Sequence, residues 1–208
     1  MAARLICALV GYLFGCILTA EIVARIMAKR SIFEVGDGNP GMANVGYELG
    51  TKAALACLAG DILKTLIPVL IMSRVCPQLS WPISTAWTGL GATLGHMFPF
   101  WHHFKGGKGV TTIASTVILM NPVLGALTTL VAGITLVLTG YLCITAVVAM
   151  GFYALVACFT MPTDCMVVSL VFFALELKAH WSKIQGIHDG TTHRAGVSIK
   201  FWKALKRQ

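Results

Sequence analysis

The chain has 208 residues, 57% of them hydrophobic and only 12% charged, with a formal net charge of +8. A soluble domain carries roughly twice that share of charged side chains, so the composition excludes an ordinary water-soluble enzyme and places the chain among polytopic membrane proteins. Length is consistent with one integral-membrane domain over 1–208. At about 20 residues per crossing, at most seven or so membrane helices fit.

The predicted elements follow in chain order. A first span covers 4–27; its apolar run, 5–26, has no basic leader region and is expected to be retained rather than cleaved. The loop "KRSIFEVGDGNPGMANVG" follows over 29–46. A second span over 51–73 carries Asp61 and Lys64, a turn lies near "SRVCPQLSWP", and a third span covers 84–101. The polar segment after it is followed by a short apolar piece, 109–120, of about 18 Å as a helix against a hydrocarbon core of about 30 Å. Asn121-Pro122 breaks it, and further spans are predicted over 123–139, 141–160 and 164–180, the last two parted at Pro162. Small residues form no run strong enough to define an oligomer, and no protein partner is inferred.

The charges are clustered. Arg25, Lys29 and Arg30 follow the first span, Lys105 and Lys108 the third, and Lys178, Lys183, Arg194, Lys200, Lys203, Lys206 and Arg207 crowd the end, while no charged residue occurs between Gly109 and Thr163. Short basic loops stay cytoplasmic. Parity then requires an even number of crossings between the loop near 105 and the tail. Two fit if 109–139 crosses nothing or re-enters, while four fit the breaks at Asn121-Pro122, Thr139-Gly140 and Pro162 and predict seven spans, an outside N-terminus and a cytoplasmic C-terminus. The basic tail reads as topology control and contact with anionic lipid, not as a nucleic-acid surface. The seven cysteines include no CxxC pair, and most read as small hydrophobes within spans.

Three polar segments, 36–46, 96–112 and 180–194, are expected on one membrane face. In "KGGKGV", Gly106, Gly107 and Gly109 let backbone N–H groups approach an anion, and Lys105 and Lys108 add positive charge. A helix opening at Gly109 would add its free N–H groups. The bland alternative is a flexible turn with two lysines. In "GDGNPGMAN", Gly36, Gly38, Asn39, Gly41 and Asn44 combine turn chemistry with exposed donors; a tight interhelical loop is the alternative. His96, at the cytoplasmic end of the third span, can donate, accept or carry a proton. Asp61 and Lys64, spaced i and i+3, read as a structural ion pair. His180 and Lys183 share a face at the end of the last span, pointing towards the head-group level; a juxtamembrane anchor is the alternative. His102 and His103 read as interfacial, and no carboxylate or cysteine beside them completes a metal site.

The stretch "GHMFPFWHHFKGGKGVTT" (95–112) resembles the second signature of the bacterial acyl-phosphate:glycerol-3-phosphate acyltransferases, GHxFPxFxxFKGGKGVAT. "GDGNPGMAN" resembles the first, GSGNxGATN. "LGTKAALACLAGDILK" resembles the segment that follows it, and "HWSKI" with Gly190 weakly resembles the third, HxxNIxRLxxGxE. The resemblance implies seven membrane helices and a cytoplasm-facing site in the bacterial inner membrane. It implies acyl transfer from acyl phosphate to the 1-hydroxyl of glycerol 3-phosphate, giving lysophosphatidic acid for phospholipid synthesis, without metal or cofactor. On it, His96, Lys108 and His180 are the expected catalytic residues. Gly36, Gly38, Asn39, Gly41, Asn44, Lys105, Gly106, Gly107, Gly109 and Lys183 are the expected substrate-binding set.

The departures are specific. The family's SxPxxY in the first span reads Cys16, Leu18 and Glu21, and its DxR reads Ser31 and Phe33. The serine of GSG is Asp37, and Met42 and Ala43 stand in the AT pair. The asparagine, arginine and glutamate of the third signature read Lys183, Gly186 and Thr192. Two alternatives stay open: a binding protein on the same scaffold that does no chemistry, and an acyltransferase with another acceptor. A transporter ranks last, because 109–163 offers no charged path.

Overall fold

The computed structural model describes residues 1–195, and every regular element among them is helical. The chain divides into two compact units, Met1–Met120 and Asn121–Gln208. The first holds α1 (Ala2–Gly15), α2 (Thr19–Ala28), α3 (Met42–Leu49), α4 (Thr51–Val75), α5 (Trp81–Met97) and α6 (Val110–Met120). The second holds α7 (Pro122–Thr139), α8 (Leu142–Thr160) and α9 (Thr163–His188). Lys200, Lys203, Lys206 and Arg207 of the basic tail lie outside the described residues.

The first span is not continuous, as the sequence suggested, but broken at 16–18 between α1 and α2. Leu18 is extended (φ −83°, ψ 96°) and opens α2. An unpaired carbonyl in hydrocarbon costs several kcal/mol, and both carbonyls at the break find donors. The Trp101 indole donates to the Cys16 carbonyl at 2.7 Å, and the Lys64 ammonium to the Ile17 carbonyl at 3.1 Å.

The packing of α1 on α5 corrects a second expectation. "GYLFG" and "GATLG" are small-x-x-x-small runs, and they face each other. A Cβ added at Gly11 or Gly15 would strike the backbone carbonyl of Thr88 or Ala92, and one at Gly91 or Gly95 that of Ala8 or Tyr12. These glycines bring the two backbones into direct contact within one chain. Tyr12 then donates to the Phe98 carbonyl at 2.8 Å, tying α1 to the end of α5.

The loop after α2 is shorter than 29–46, because α3 begins at Met42; Gly50 separates α3 from α4. Ala20, Val23, Ala24, Ile32, Val35, Val45, Ala53 and Cys57 form an apolar core beneath this loop. On the other side of the unit, α6 packs against α5 and α4, with Thr93 and Thr112 hydroxyls 3.1 Å apart.

In the second unit α8 packs against both α7 and α9. All three expected breaks are helix ends. The Asn121 side chain accepts from Leu124 N at 3.1 Å with Pro122 opening α7. Gly140 closes α7, and Pro162 precedes α9. Leu127, Leu130, Leu138, Leu155 and Phe159 are exposed, an outward apolar surface suited to lipid. Five stretches are long and apolar enough to cross a membrane: Ala2–Ala28, Thr51–Val75, Pro122–Thr139, Leu142–Thr160 and Thr163–His188. With the shorter α5 and α6 the chain has the all-α, multi-pass architecture expected from its composition.

Candidate functional site

The site of the first unit is built from two glycine-rich loops, the buried middle of α4 and the buried end of α5. Asn44, buried at the start of α3, shapes the first loop. Its amide nitrogen donates to the carbonyls of Val35 (2.8 Å) and Asn39 (3.2 Å), and its oxygen accepts from Asp37 N at 3.2 Å. Gly36 is left-handed at φ +59°, and a Cβ there would collide with the Asn44 oxygen, so only glycine lets the loop close on this brace. Asp37 is exposed, and its carboxylate accepts from Asn39 N at 3.1 Å. Gly41 opens α3 and donates to the Asn39 carbonyl at 2.8 Å.

Glu21, which sequence reasoning counted only as a departure, anchors the approach to this loop. Its carboxylate accepts from Ser31 Oγ at 3.0 Å and Ile32 N at 2.8 Å, and pairs with Arg25 at 2.7 Å. Two departures from the family pattern, at 21 and 31, are therefore bonded to each other. A third, Phe33, stacks on the His102 ring with centroids 3.7 Å apart.

The second loop turns on two consecutive left-handed residues, His103 and Phe104. Lys105 is exposed, and its carbonyl lies 2.9 Å from His102 Nδ1. Gly107 N donates back to the His96 carbonyl at 3.0 Å. A Cβ at Gly106 would strike that same carbonyl, and one at Gly107 would strike His96 Nε2 and meet the Pro40 carbonyl at 3.0 Å. The two loops thus meet at Pro40 and Gly107, over the edge of the His96 ring. Gly109, at φ +86°, precedes α6, whose first N–H groups have no intrahelical acceptor. Lys108, between these glycines, is partly buried.

Beneath the loops lies a buried cluster. Lys64 Nζ is 2.8 Å from Asp61 Oδ1 and 2.7 Å from His96 Nδ1; the three residues are 2–4% exposed. The expected i, i+3 ion pair forms, and it includes His96, which lies 32 residues beyond Lys64. Beside the break in the first span, Leu13, Ile17, Ile22, Phe100 and Trp101 line an apolar groove of about 350 Å³ with Glu21 at its edge.

In the second unit, His180 is buried on α9. Its Nε2 lies 3.1 Å from the buried Glu176 carboxylate, one turn earlier. Glu176 was missed, although a carboxylate within an apolar span is itself a signal. Lys183 is exposed, and its carbonyl accepts from Thr192 Oγ1 at 2.7 Å. Gly186 and Thr192, again two departures, touch: Thr192 N donates to the Gly186 carbonyl at 3.0 Å.

Helices sized for a bilayer, with two joined glycine loops over a buried ionisable cluster, define a multi-pass membrane protein with a polar site in its first unit. The family model described as glycerol-3-phosphate acyltransferase matches residues 5–190. Glycerol-3-phosphate acyltransferase 1 of Lactobacillus acidophilus is 34% identical over 203 residues, covering 98% of this chain and 97% of the relative. The glycerol-3-phosphate acyltransferase of Thermoanaerobacter pseudethanolicus is 33% identical over 190 residues, covering 91% and 94%. Among solved structures, the glycerol 3-phosphate form of PlsY (YgiH), described as an integral membrane glycerol 3-phosphate acyltransferase, superposes with a TM-score of 0.83 at 30% identity, covering 95% of this chain and 98% of that one. Its lysophosphatidic acid form gives 0.82 at 29% identity. The chain belongs to the glycerol-3-phosphate acyltransferase family and is a bacterial multi-pass membrane protein.

Proposed function

We propose that the protein transfers a fatty acyl group from acyl phosphate to the 1-hydroxyl of glycerol 3-phosphate, giving lysophosphatidic acid at the cytoplasmic face of the bacterial inner membrane. The observation that carries this reading is the meeting of the two glycine loops over His96, in a member of this family. Both substrates bear phosphate, and closely approached backbone N–H groups with Lys105 and Lys108 suit a phosphate. One substrate bears a fatty chain, and the apolar groove beside Phe100 and Trp101 suits it.

The chemistry asks little of the protein beyond placement. The hydroxyl oxygen attacks the acyl carbon, the new ester bond forms, and the acyl–phosphate C–O bond breaks. Inorganic phosphate leaves, and the hydroxyl proton ends on it. Acyl phosphate is already activated, so orientation and stabilisation of developing charge supply the rate. In this scheme His96, Lys108 and His180 act on the reacting groups. Gly36, Gly38, Asn39, Gly41, Lys105, Gly106, Gly107, Gly109 and Lys183 hold the substrates, and Asn44 shapes the first loop. The family match across both units supports one functional domain. Seven crossings with the N-terminus outside are part of the same proposal and are checked by reporter fusions at the loops.

The test is product formation by the purified protein in lipid, given palmitoyl phosphate and labelled glycerol 3-phosphate. Lysophosphatidic acid is expected from the parent, and about 10²-fold less from Lys108→Ala, the loss typical of removing one placed charge-stabilising group. A folded parent that makes none overturns the reading.

A further inference from the structure

The cluster beneath the glycine loops assigns a state to His96. A lysine ammonium has three donors and no acceptor. Around Lys64 Nζ stand three acceptors: the Ile17 carbonyl at 3.1 Å, Asp61 Oδ1 at 2.8 Å and His96 Nδ1 at 2.7 Å. The Ile17 carbonyl takes one ammonium proton and Asp61 pairs with the ammonium by charge. Since an ammonium has no lone pair to accept with, its 2.7 Å contact with Nδ1 is a donation to the imidazole. Nδ1 is then the accepting nitrogen, and in a neutral ring the proton sits on the other one.

We propose that Lys64 is a positioning residue that holds His96 as its Nε2–H tautomer. The arrangement reverses what a carboxylate beside a histidine normally does. Asp61 Oδ1 is 4.0 Å from Nδ1; without the lysine between them, Asp61 would draw the ring proton to Nδ1. The Cys57 thiol lies 3.9 Å from the other Asp61 oxygen and donates towards it. Nε2 makes no hydrogen bond among the described residues, and its edge lies against Gly107. Lys64 therefore leaves an N–H donor aimed at the glycine loop. For the acyl transfer proposed above, on which this consequence rests, His96 enters as a hydrogen-bond donor to an anionic oxygen. It is not the base that takes the hydroxyl proton.

The test is the nitrogen spectrum of His96 in the full chain, labelled with carbon-13 and nitrogen-15 in lipid bilayers and assigned by the backbone walk through 95–97. The expected parent spectrum at neutral pH has a protonated Nε2 and an unprotonated Nδ1 coupled to Lys64 Nζ. In Lys64→Met the proton moves to Nδ1, facing Asp61, and turnover falls about 10²-fold with KM little changed. The paired variant Asp61→Leu/Lys64→Met leaves no unpaired buried charge and is expected to fold with a mixture of both tautomers. A protonated Nδ1 in the parent overturns the proposal, as does an Nε2–H state undisturbed in Lys64→Met. The spectrum requires no turnover. A parent that makes no lysophosphatidic acid yet shows the expected spectrum removes the acyl-transfer reading and leaves the tautomer assignment standing.

Discussion

Glu21 accepts a 3.0 Å hydrogen bond from Ser31, and through it the second half of the first span holds the start of the glycine loop. The same carboxylate takes the Ile32 amide. Hydrogen bonds to a charged group contribute about 1.5–3 kcal/mol each. Glu21→Ala removes both and is expected to lower stability by about 3 kcal/mol or more, read as a lower melting temperature in detergent, and to raise KM for glycerol 3-phosphate as the loop loosens. Glu21→Gln, which keeps one acceptor oxygen, should fall between.

Asn44→Asp tests the brace of that loop with almost no change of shape. An ionised carboxylate cannot donate to the Val35 and Asn39 carbonyls that Asn44 now satisfies. The expected cost is about 1–3 kcal/mol. Kinetically, KM for glycerol 3-phosphate should rise more than kcat falls. An unchanged KM would separate the loop from that substrate.

Gly107→Ala places a methyl where His96 Nε2 now lies. The ring must shift or the loop must lift, and a misplacement of about 1 Å can cost about 10²-fold in rate. The melting temperature should move little while kcat/KM drops by that order. Activity close to the parent's would show that the contact between loop and ring is not used.

Two glycines in helices should respond in opposite ways. Gly91→Leu drives a side chain into the Ala8 backbone carbonyl, where no side-chain rotation gives relief, and should cost at least the roughly 1–3 kcal/mol of an overpacked core. Gly133, in α7, has nothing within 4 Å of an added Cβ. Gly133→Ala should stabilise by up to about 1 kcal/mol through helix propensity. Thermal melts of the two variants beside the parent decide it.

The helices of the second unit were legible because Asn121-Pro122, Gly140 and Pro162 punctuate uniformly apolar runs with local chemistry. The i, i+3 pair of Asp61 and Lys64 was legible for the same reason. That His96 completes the pair was not, because it depends on how α4 and α5 pack across 32 residues of chain. The break at 16–18 contains no proline to announce it, since Leu18 stands where the family carries proline, and Gly15 before it reads as one of the small residues of an unbroken span. Departures from the family motifs, taken one at a time, read as losses. In space, Glu21 bonds Ser31 and Gly186 bonds Thr192. A single sequence shows each substitution and hides the partner that changed with it.

The donors that satisfy the broken first span come from later in the chain, at Lys64 and Trp101. When residues 16–18 first enter the bilayer during synthesis, neither donor has left the ribosome. At that moment a continuous helix, with every carbonyl bonded to its own backbone, is the low-energy form of 2–28 in lipid. The break is thus a late event in assembly, made when α4 and the end of α5 arrive. A chain stopped before residue 64 should hold its first span straight, and the geometry that anchors the glycine loop would be set only after the third span is in place.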